Sequence, residues 1–265
     1  MAHGRLDPER GHPESGRTLK VLAIIPARGG SKSVPRKNVR LLAGHPLIAY
    51  SVAAGLASAR VGRVILSTDD EEIAEVGRSY GADVPFLRPR HLAEDDTPDL
   101  PVVEHALEWL ATNESYHPDL VVQLRPTSPL RPADLVDRGI VVVLEHADAD
   151  SARAVIPSGQ NPFKMWRPAD DGRIVPLLTD GLHEAYNMPR QSLPRTYWQT
   201  GHLDVIRTET ILRNHSLTGD RVYPILVDPD HAVDIDSPRD FERAEALLRE
   251  GQPDLVLPRL RSQAP

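Results

Sequence analysis

The chain has 265 residues, 40% of them hydrophobic and 26% charged, with a formal net charge of −7 and no cysteine. This composition fits one large soluble globular domain, or a domain with an added lobe. It excludes disulfides, thiolate catalysis and cysteine-ligated zinc, and the acidic balance argues against a general nucleic-acid binder.

No apolar run approaches the roughly 18–20 residues of a membrane helix. Residues 1–18 are polar, with two prolines, three glycines and no apolar core of a secretory signal, and read as a disordered tail. Residues 19–250 read as the folded domain and 251–265 as a proline-containing C-terminal tail. A cytoplasmic location is the expectation.

In chain order, the β-branched run Val21–Ile25 predicts a buried strand closed by Pro26. Pro46–Ala59 predicts a helix with Pro46 in its first turn and Ile48, Val52 and Leu56 on one face. Val64–Leu66 predicts a second strand running into Ser67-Thr68-Asp69. Glu71–Ser79 reads as a helix that Gly81 can cap, and Val84–Leu87 as a short strand. Pro98–Ala111 reads as a helix with Val102, Val103, Ala106, Leu107 and Leu110 on one face.

Leu120–Leu124 reads as a strand, and Pro132–Glu145 as a helix despite the β-branched run Ile140–Val143. Residues 158–200 are proline-rich with little helical periodicity, and read as an inserted lobe and oligomer contact. Strand character returns at 202–207 and 222–227. Ser237, Pro238 and Asp240 suit N-cap, N1 and N3 of a last helix ending near Arg249. Alternating strands and helices imply a mainly parallel sheet covered on both faces. Ligands of such sheets bind beyond the carboxyl ends of the strands.

Three stretches carry chemistry. In the first, Ala27-Arg28-Gly29-Gly30-Ser31-Lys32 with Arg36, Lys37 and Asn38, glycines let backbone N–H groups approach an anion that the cations neutralise. The loop fits neither Gly-x-Gly-x-x-Gly nor the Walker pattern, so a solvated basic turn stays open. The second is Asp234-Ile235-Asp236 on an expected strand, where carboxylates at i and i+2 share a face. Such a pair repels unless a cation bridges it, and magnesium favours a few carboxylates plus phosphate oxygens. A solvated strand end is the alternative. The third is Arg125-Pro126-Thr127-Ser128-Pro129-Leu130-Arg131, a proline-fixed turn that is either a connector or a binding loop.

Together, Ile25–Lys32 with Lys37-Asn38, Ser67-Thr68-Asp69, Leu87-Arg88-Pro89, Pro126–Arg131, Pro189-Arg190-Gln191 with Leu193-Pro194, and Asp234–Asp236 resemble the acylneuraminate cytidylyltransferases. The likeness spans roughly residues 20–248. It implies a Rossmann-like nucleotidyltransferase fold and a reaction of CTP with a sugar acid to give the CMP-sugar and pyrophosphate. It also implies Mg2+ on Asp234 and Asp236, a homodimer joined through the lobe, and no nucleic-acid or membrane partner.

By the same resemblance Arg28 and Lys32 hold the triphosphate, helped by Lys37, and act with Asp236 in catalysis. Ala27, Gly29, Gly30, Ser31, Asn38 and Arg88 complete the nucleotide site. Thr127, Ser128, Lys164, Arg190 and Gln191 fall on the sugar-acid side.

Three positions depart from the family pattern. Ser33 replaces a usual glycine, Arg125 stands where sialic acid enzymes have glutamine, and Gly201–Val205 replaces a more apolar, tyrosine-containing segment. Arg125 and Asp204, with His202 nearby, are therefore expected to face an unusual sugar. A nucleotidyltransferase of the same fold using another nucleotide or a sugar 1-phosphate, or a non-catalytic relative, are the competing readings.

Overall fold

The computed structural model describes residues 18–32, 34–251 and 254–261. The N-terminal tail up to residue 17, and Ser33, lie outside these residues.

The described chain begins with β1 (Val21–Pro26), whose buried run VLAII is covered on both faces. Next come β2 (Leu41–Leu42) and β3 (His45–Pro46), a hairpin whose turn residues Ala43 and Gly44 both have positive φ, 46° and 88°. Pro46 caps α1 (Leu47–Ala57) rather than lying in its first turn. β4 (Arg63–Ser67) and α2 (Glu71–Ser79) follow, with Asp70 as the α2 N-cap accepting from the Ile73 amide.

Then come α3 (Asp99–Glu114), β5 (Leu120–Gln123), α4 (Leu135–Glu145) and β6 (Ser151–Pro157). A projecting segment holds the hairpin β7 (Trp166–Pro168) and β8 (Ile174–Pro176). The chain returns through β9 (Tyr197–Arg207), α5 (Thr208–Asn214), β10 (Val222–Leu226) and α6 (Pro238–Arg249). The expected cap of α6 forms as a capping box between Ser237 and Asp240.

The main sheet is six-stranded in the order β10-β6-β9-β5-β1-β4. β1 pairs in parallel with β4 and β5, β10 pairs in parallel with β6, and β9 runs antiparallel to β5 and β6. Helices cover both faces. Ile48, Ile73 and Ile140 from α1, α2 and α4 pack in one core layer with Ala23 and Val122. Val103, Leu107 and Ile211 from α3 and α5 pack in the other with Ile24 and Val121.

Three further sequence expectations need correction. Residues 84–87 form no strand, and only a bridge from Asp83 to Ile65 is made; Pro85 removes a ladder donor. The helix read from Pro132 starts at Leu135, because Pro132 pairs with Leu255. Its β-branched run stays helical since Ile140 and Val143 are buried against the sheet, and packing outweighs propensity. Asp234–Asp236 lie in extended chain outside any strand, with the Ile235 amide donating to Thr127 O at 2.7 Å.

The lobe read over 158–200 ends sooner, because residues from Tyr197 onward join the main sheet. It has its own small core of Phe163, Ala185 and Leu193. In the C-terminal segment, Leu255 is buried with α6 and Leu130. No described helix is long and apolar enough to cross a membrane.

Candidate active site

β1 delivers the basic loop at its carboxyl end. The Ala27 amide donates to Ser67 O at 3.0 Å, so the loop leaves the sheet beside β4. The Gly29 amide donates to Asp69 Oδ1 at 2.9 Å. A Cβ at Gly29 would lie 2.8 Å from Asp70 Oδ2, so only glycine allows this approach. Gly30 is exposed and has open space where its side chain would be, and Ser31 lies half-buried beside it. Asn38 braces the loop by donating to Arg28 O at 2.9 Å.

The four cations of the loop turn in three different directions. Arg28 donates to Glu94 O at 2.7 Å and pairs with Asp95 at 3.0 Å. Lys32, 82% exposed, pairs with the same Asp95. The two cations hold the Asp95 carboxyl below its usual range, Lys32 contributing most. Arg36 adopts a left-handed φ of 55° and is gripped by Asp70 and Glu72. Lys37 is turned the other way. Its Nζ donates to Ile235 O at 2.8 Å and stands 3.5 Å from Asp236 Oδ1.

Asp234 and Asp236 are exposed while Val233 and Ile235 between and before them are buried. The alternation survives without a strand, so both carboxylates face the same side. Among the described residues no group of three or more His, Cys, Asp or Glu is placed to hold a metal ion. Two hard carboxylate donors still fit magnesium, which takes the remainder of its octahedron from phosphate oxygens and water.

Arg88 lies between this loop and α3, 5% exposed, and its amide donates to Thr68 O at 2.7 Å. Asp69 stands 3.8 Å from Nη2, yet neither Nε nor Nη2 makes a hydrogen bond. Burial lowers its pKa, with Arg28 adding repulsion, while Asp69 and Asp99 oppose the shift.

On the other side of β5, Arg125 is enclosed by carboxylates. Nε and Nη2 donate to Asp99 Oδ2 at 3.0 and 2.9 Å, and Nη1 to Asp204 Oδ2 at 2.6 Å. Asp204, with a side chain 1% exposed, also accepts from Arg153 Nε at 2.5 Å. Asp204 and Arg125, expected to face the sugar directly, thus bind each other.

Arg131, at the end of the same turn, is fully buried and donates to Arg125 O, His202 O and Ser51 Oγ. Burial, helped by repulsion from Arg125, brings its pKa down to about 9. Buried His202 has its Nε2 3.1 Å from His231 O, and burial with the nearby Arg131 charge pushes it down to about 3. His202 is therefore a neutral structural residue at pH 7.

Thr127 is half-buried, and Ser128 Oγ is buried with no hydrogen bond. A Cβ at Gly201 would come within 2.5 Å of that Ser128 oxygen. Lys164 donates to the carbonyls of Tyr186 and Met188, and Arg190 to Ser158 O. Both, with exposed Gln191, belong to the lobe.

Four residues were not anticipated as part of the site: Asp95, Asp99, Arg153 and Gln199. The acidic run Glu94-Asp95-Asp96 with Asp99, just after Leu87-Arg88-Pro89, is the sequence signal that could have exposed two of them. Arg153 is brought in only by strand pairing.

The profile of a family described as cytidylyltransferase matches residues 22–252. The chain belongs to the cytidylyltransferase family. As such it is a nucleotidyltransferase. It is 32% identical to the CMP-N,N'-diacetyllegionaminic acid synthase of Legionella pneumophila over 240 residues, 90% of this chain and 100% of that one. Over 118 residues, 44% of the chain and 50% of the relative, it is 45% identical to the pseudaminic acid cytidylyltransferase of Campylobacter jejuni.

A solved CMP:2-keto-3-deoxy-manno-octonic acid synthetase complexed with CTP superposes with a TM-score of 0.63 at 16% identity, covering 88% of this chain and all of that one. That likeness fixes the fold of the cytidylyltransferase, a mainly parallel mixed sheet of Rossmann-like type.

Proposed function

We propose that this cytidylyltransferase activates a nonulosonic acid with CTP, giving the CMP-sugar and pyrophosphate. One observation carries the reading. The glycine loop presents Arg28 and Lys32 beside buried Arg88 at the carboxyl end of β1, with Asp234 and Asp236 tethered nearby through Lys37.

In the reaction the anomeric hydroxyl oxygen attacks the α-phosphorus in line. A new P–O bond forms, the bond from the α-phosphorus to the oxygen of the leaving pyrophosphate breaks, and the hydroxyl proton passes to water. Charge builds on phosphate oxygens, so pre-placed cations supply most of the stabilisation. Arg28 and Lys32 exchange Asp95 for the triphosphate. Ala27, Gly29, Gly30 and Ser31 bring the backbone close to it, and Asn38 holds the loop in shape. The unbonded Nε and Nη2 of Arg88 serve the nucleotide.

Asp234 and Asp236 would hold magnesium, which when bound neutralises phosphate charge. Thr127 and Ser128 line the sugar side. Lys164, Arg190 and Gln191 act on the sugar acid from the lobe, whose exposed Trp166, Ile174 and Leu177, with Trp198 of β9 beside them, form the contact of a homodimer.

The competing sugar 1-phosphate substrate carries more negative charge and would need a spare cation, for which Arg125 is the candidate. With Asp99 and Asp204 on either side, Arg125 has no spare charge for a phosphate.

The test is pyrophosphate release, with magnesium, from CTP, GTP, UTP and ATP against N-acylated nonulosonic acids and sugar 1-phosphates. Release only with CTP and a nonulosonic acid is the expected result. Release with another nucleotide or a sugar phosphate would move the substrate class, and none with any pair would sink the assignment.

A further inference from the structure

Three strands place one row of side chains across the sheet. Gln123 of β5 lies opposite Asp204 of β9, which lies opposite Arg153 of β6. Directly paired residues share a face, and here it is the α3 face, where Asp99 also accepts from Gln123 Nε2 at 2.8 Å. The row makes an alternating sequence of charges, Asp99–Arg125–Asp204–Arg153, running from the α3 N-terminus toward the lobe.

Immediately past Arg153 the β6–β9 register breaks, so that Val155 pairs with Gln199. Such irregularities re-aim side chains beside sites. Here the break lets Arg153 Nη1 reach Gln199 Oε1 at 2.8 Å.

Arg125 and Arg153 differ in what they have left to give. A guanidinium carries five N–H donors. Four bonds hold Arg125, to Asp99 twice, to Asp204 and to Gln123. Among the described residues two hold Arg153, which is 19% exposed. The charges of the row already sum to zero. Another carboxylate or phosphate would therefore meet a carboxylate for each cation, whereas a neutral acceptor needs only a directed donor.

We propose that Arg153, held by Asp204 and steadied by Gln199, is a specificity-determining residue that donates hydrogen bonds to a neutral acceptor oxygen of the acid sugar. An N-acyl carbonyl has the required chemistry. Asp204 and Arg125 are positioning residues behind it. This inference rests on the proposed nonulosonic acid substrate.

The experiment measures KM for CTP and for an N-acylated nonulosonic acid, and for the same acid with its amine left free, in the full-length enzyme and in Arg153→Gln. A charged hydrogen bond is worth enough that the variant should raise KM for the N-acylated acid by about 10- to 100-fold. KM for CTP should not move, and the free-amine acid should lose much less. Gln199→Ala, at an exposed position, should shift the same acid-sugar KM by a few-fold without changing the melting temperature, which covers the case where Arg153→Gln fails to fold.

Equal losses for both acids, or an unchanged acid-sugar KM in both variants, would overturn the role of Arg153 while leaving the substrate class standing. A wild-type enzyme inert with every nonulosonic acid would instead remove the proposed function and this inference with it.

Discussion

At the proposed nucleotide end of the site, Lys32 is 82% exposed and shares one carboxylate, 43% exposed, with Arg28. At the proposed sugar end, Asp204 is 1% exposed and is bound by two arginines at 2.5–2.6 Å. The two ends hold similar numbers of charges for different purposes. Exposed pairs contribute little to stability, so Arg28 and Lys32 can release Asp95 at little cost, as the proposed binding of a triphosphate requires. The buried Asp204 carboxylate cannot be released without stripping Arg153 of its carboxylate partner and Arg125 of one of two. The nucleotide end is built for exchange, and the sugar end for shape.

The largest expected effect tests the exchanging end. Asp236→Ala should lower kcat by about 10²-fold or more, as for other losses of transition-state charge stabilisation, with the melting temperature unchanged because the side chain is exposed. Near-normal turnover in magnesium would remove Asp236 from the metal site and leave that end with cations alone.

Next comes the rigid end. Asp204→Asn leaves Arg125 and Arg153 without their shared counter-charge, and breaking such a buried pair costs about 3–5 kcal/mol. Denaturant titration should show that loss. A change within error would mean the network is as exchangeable as Asp95, and the contrast between the two ends would collapse.

His202 sharpens the comparison through pH. Its folded pKa lies near 3, against an ordinary value of 6.5. Between those values the unfolded chain binds a proton that the folded chain refuses. Stability is therefore full above pH 6.5 and is lost as pH falls toward 3, by about 1.4 kcal/mol per pH unit for one proton. His202→Gln should reduce the stability difference between pH 7 and pH 5 relative to wild type. An identical difference would take His202 out of the acid response.

The smallest effect is at Asp95. Asp95→Asn should leave the melting temperature unchanged and lower KM for CTP a few-fold, since Arg28 and Lys32 no longer have a carboxylate to give up. A higher KM would make Asp95 part of the nucleotide site and not a placeholder for phosphate.

The grouping of charges at the exchanging end was partly legible in the sequence. Its cations and its paired carboxylates sit in two short stretches, 27–38 and 234–236, where spacing alone brings like groups together, whereas Asp95, which pairs with both Arg28 and Lys32, was not anticipated. Arg28 and Lys32 were placed on one loop, and Asp234 and Asp236 on one side of the chain, even though the expected strand there is only extended backbone. The rigid end was not legible in this way. Arg125 and Asp204 were both singled out, but as separate sugar contacts, because a sequence shows a charge and not its partner 79 residues away.

By itself the sequence determined the alternation of strands and helices, the basic glycine loop after the first strand, the capping box at Ser237 and the family. All of these depend on neighbours within a few residues or on an ordered set of local motifs. The tertiary structure decided the antiparallel insertion of β9 between β5 and β6, and with it the row Gln123–Asp204–Arg153. It also decided that residues 84–87 stay out of the sheet and that Ile140–Val143 stay helical. In each case burial against a distant strand, or the pairing of charges far apart in the chain, outweighed what the local residues prefer.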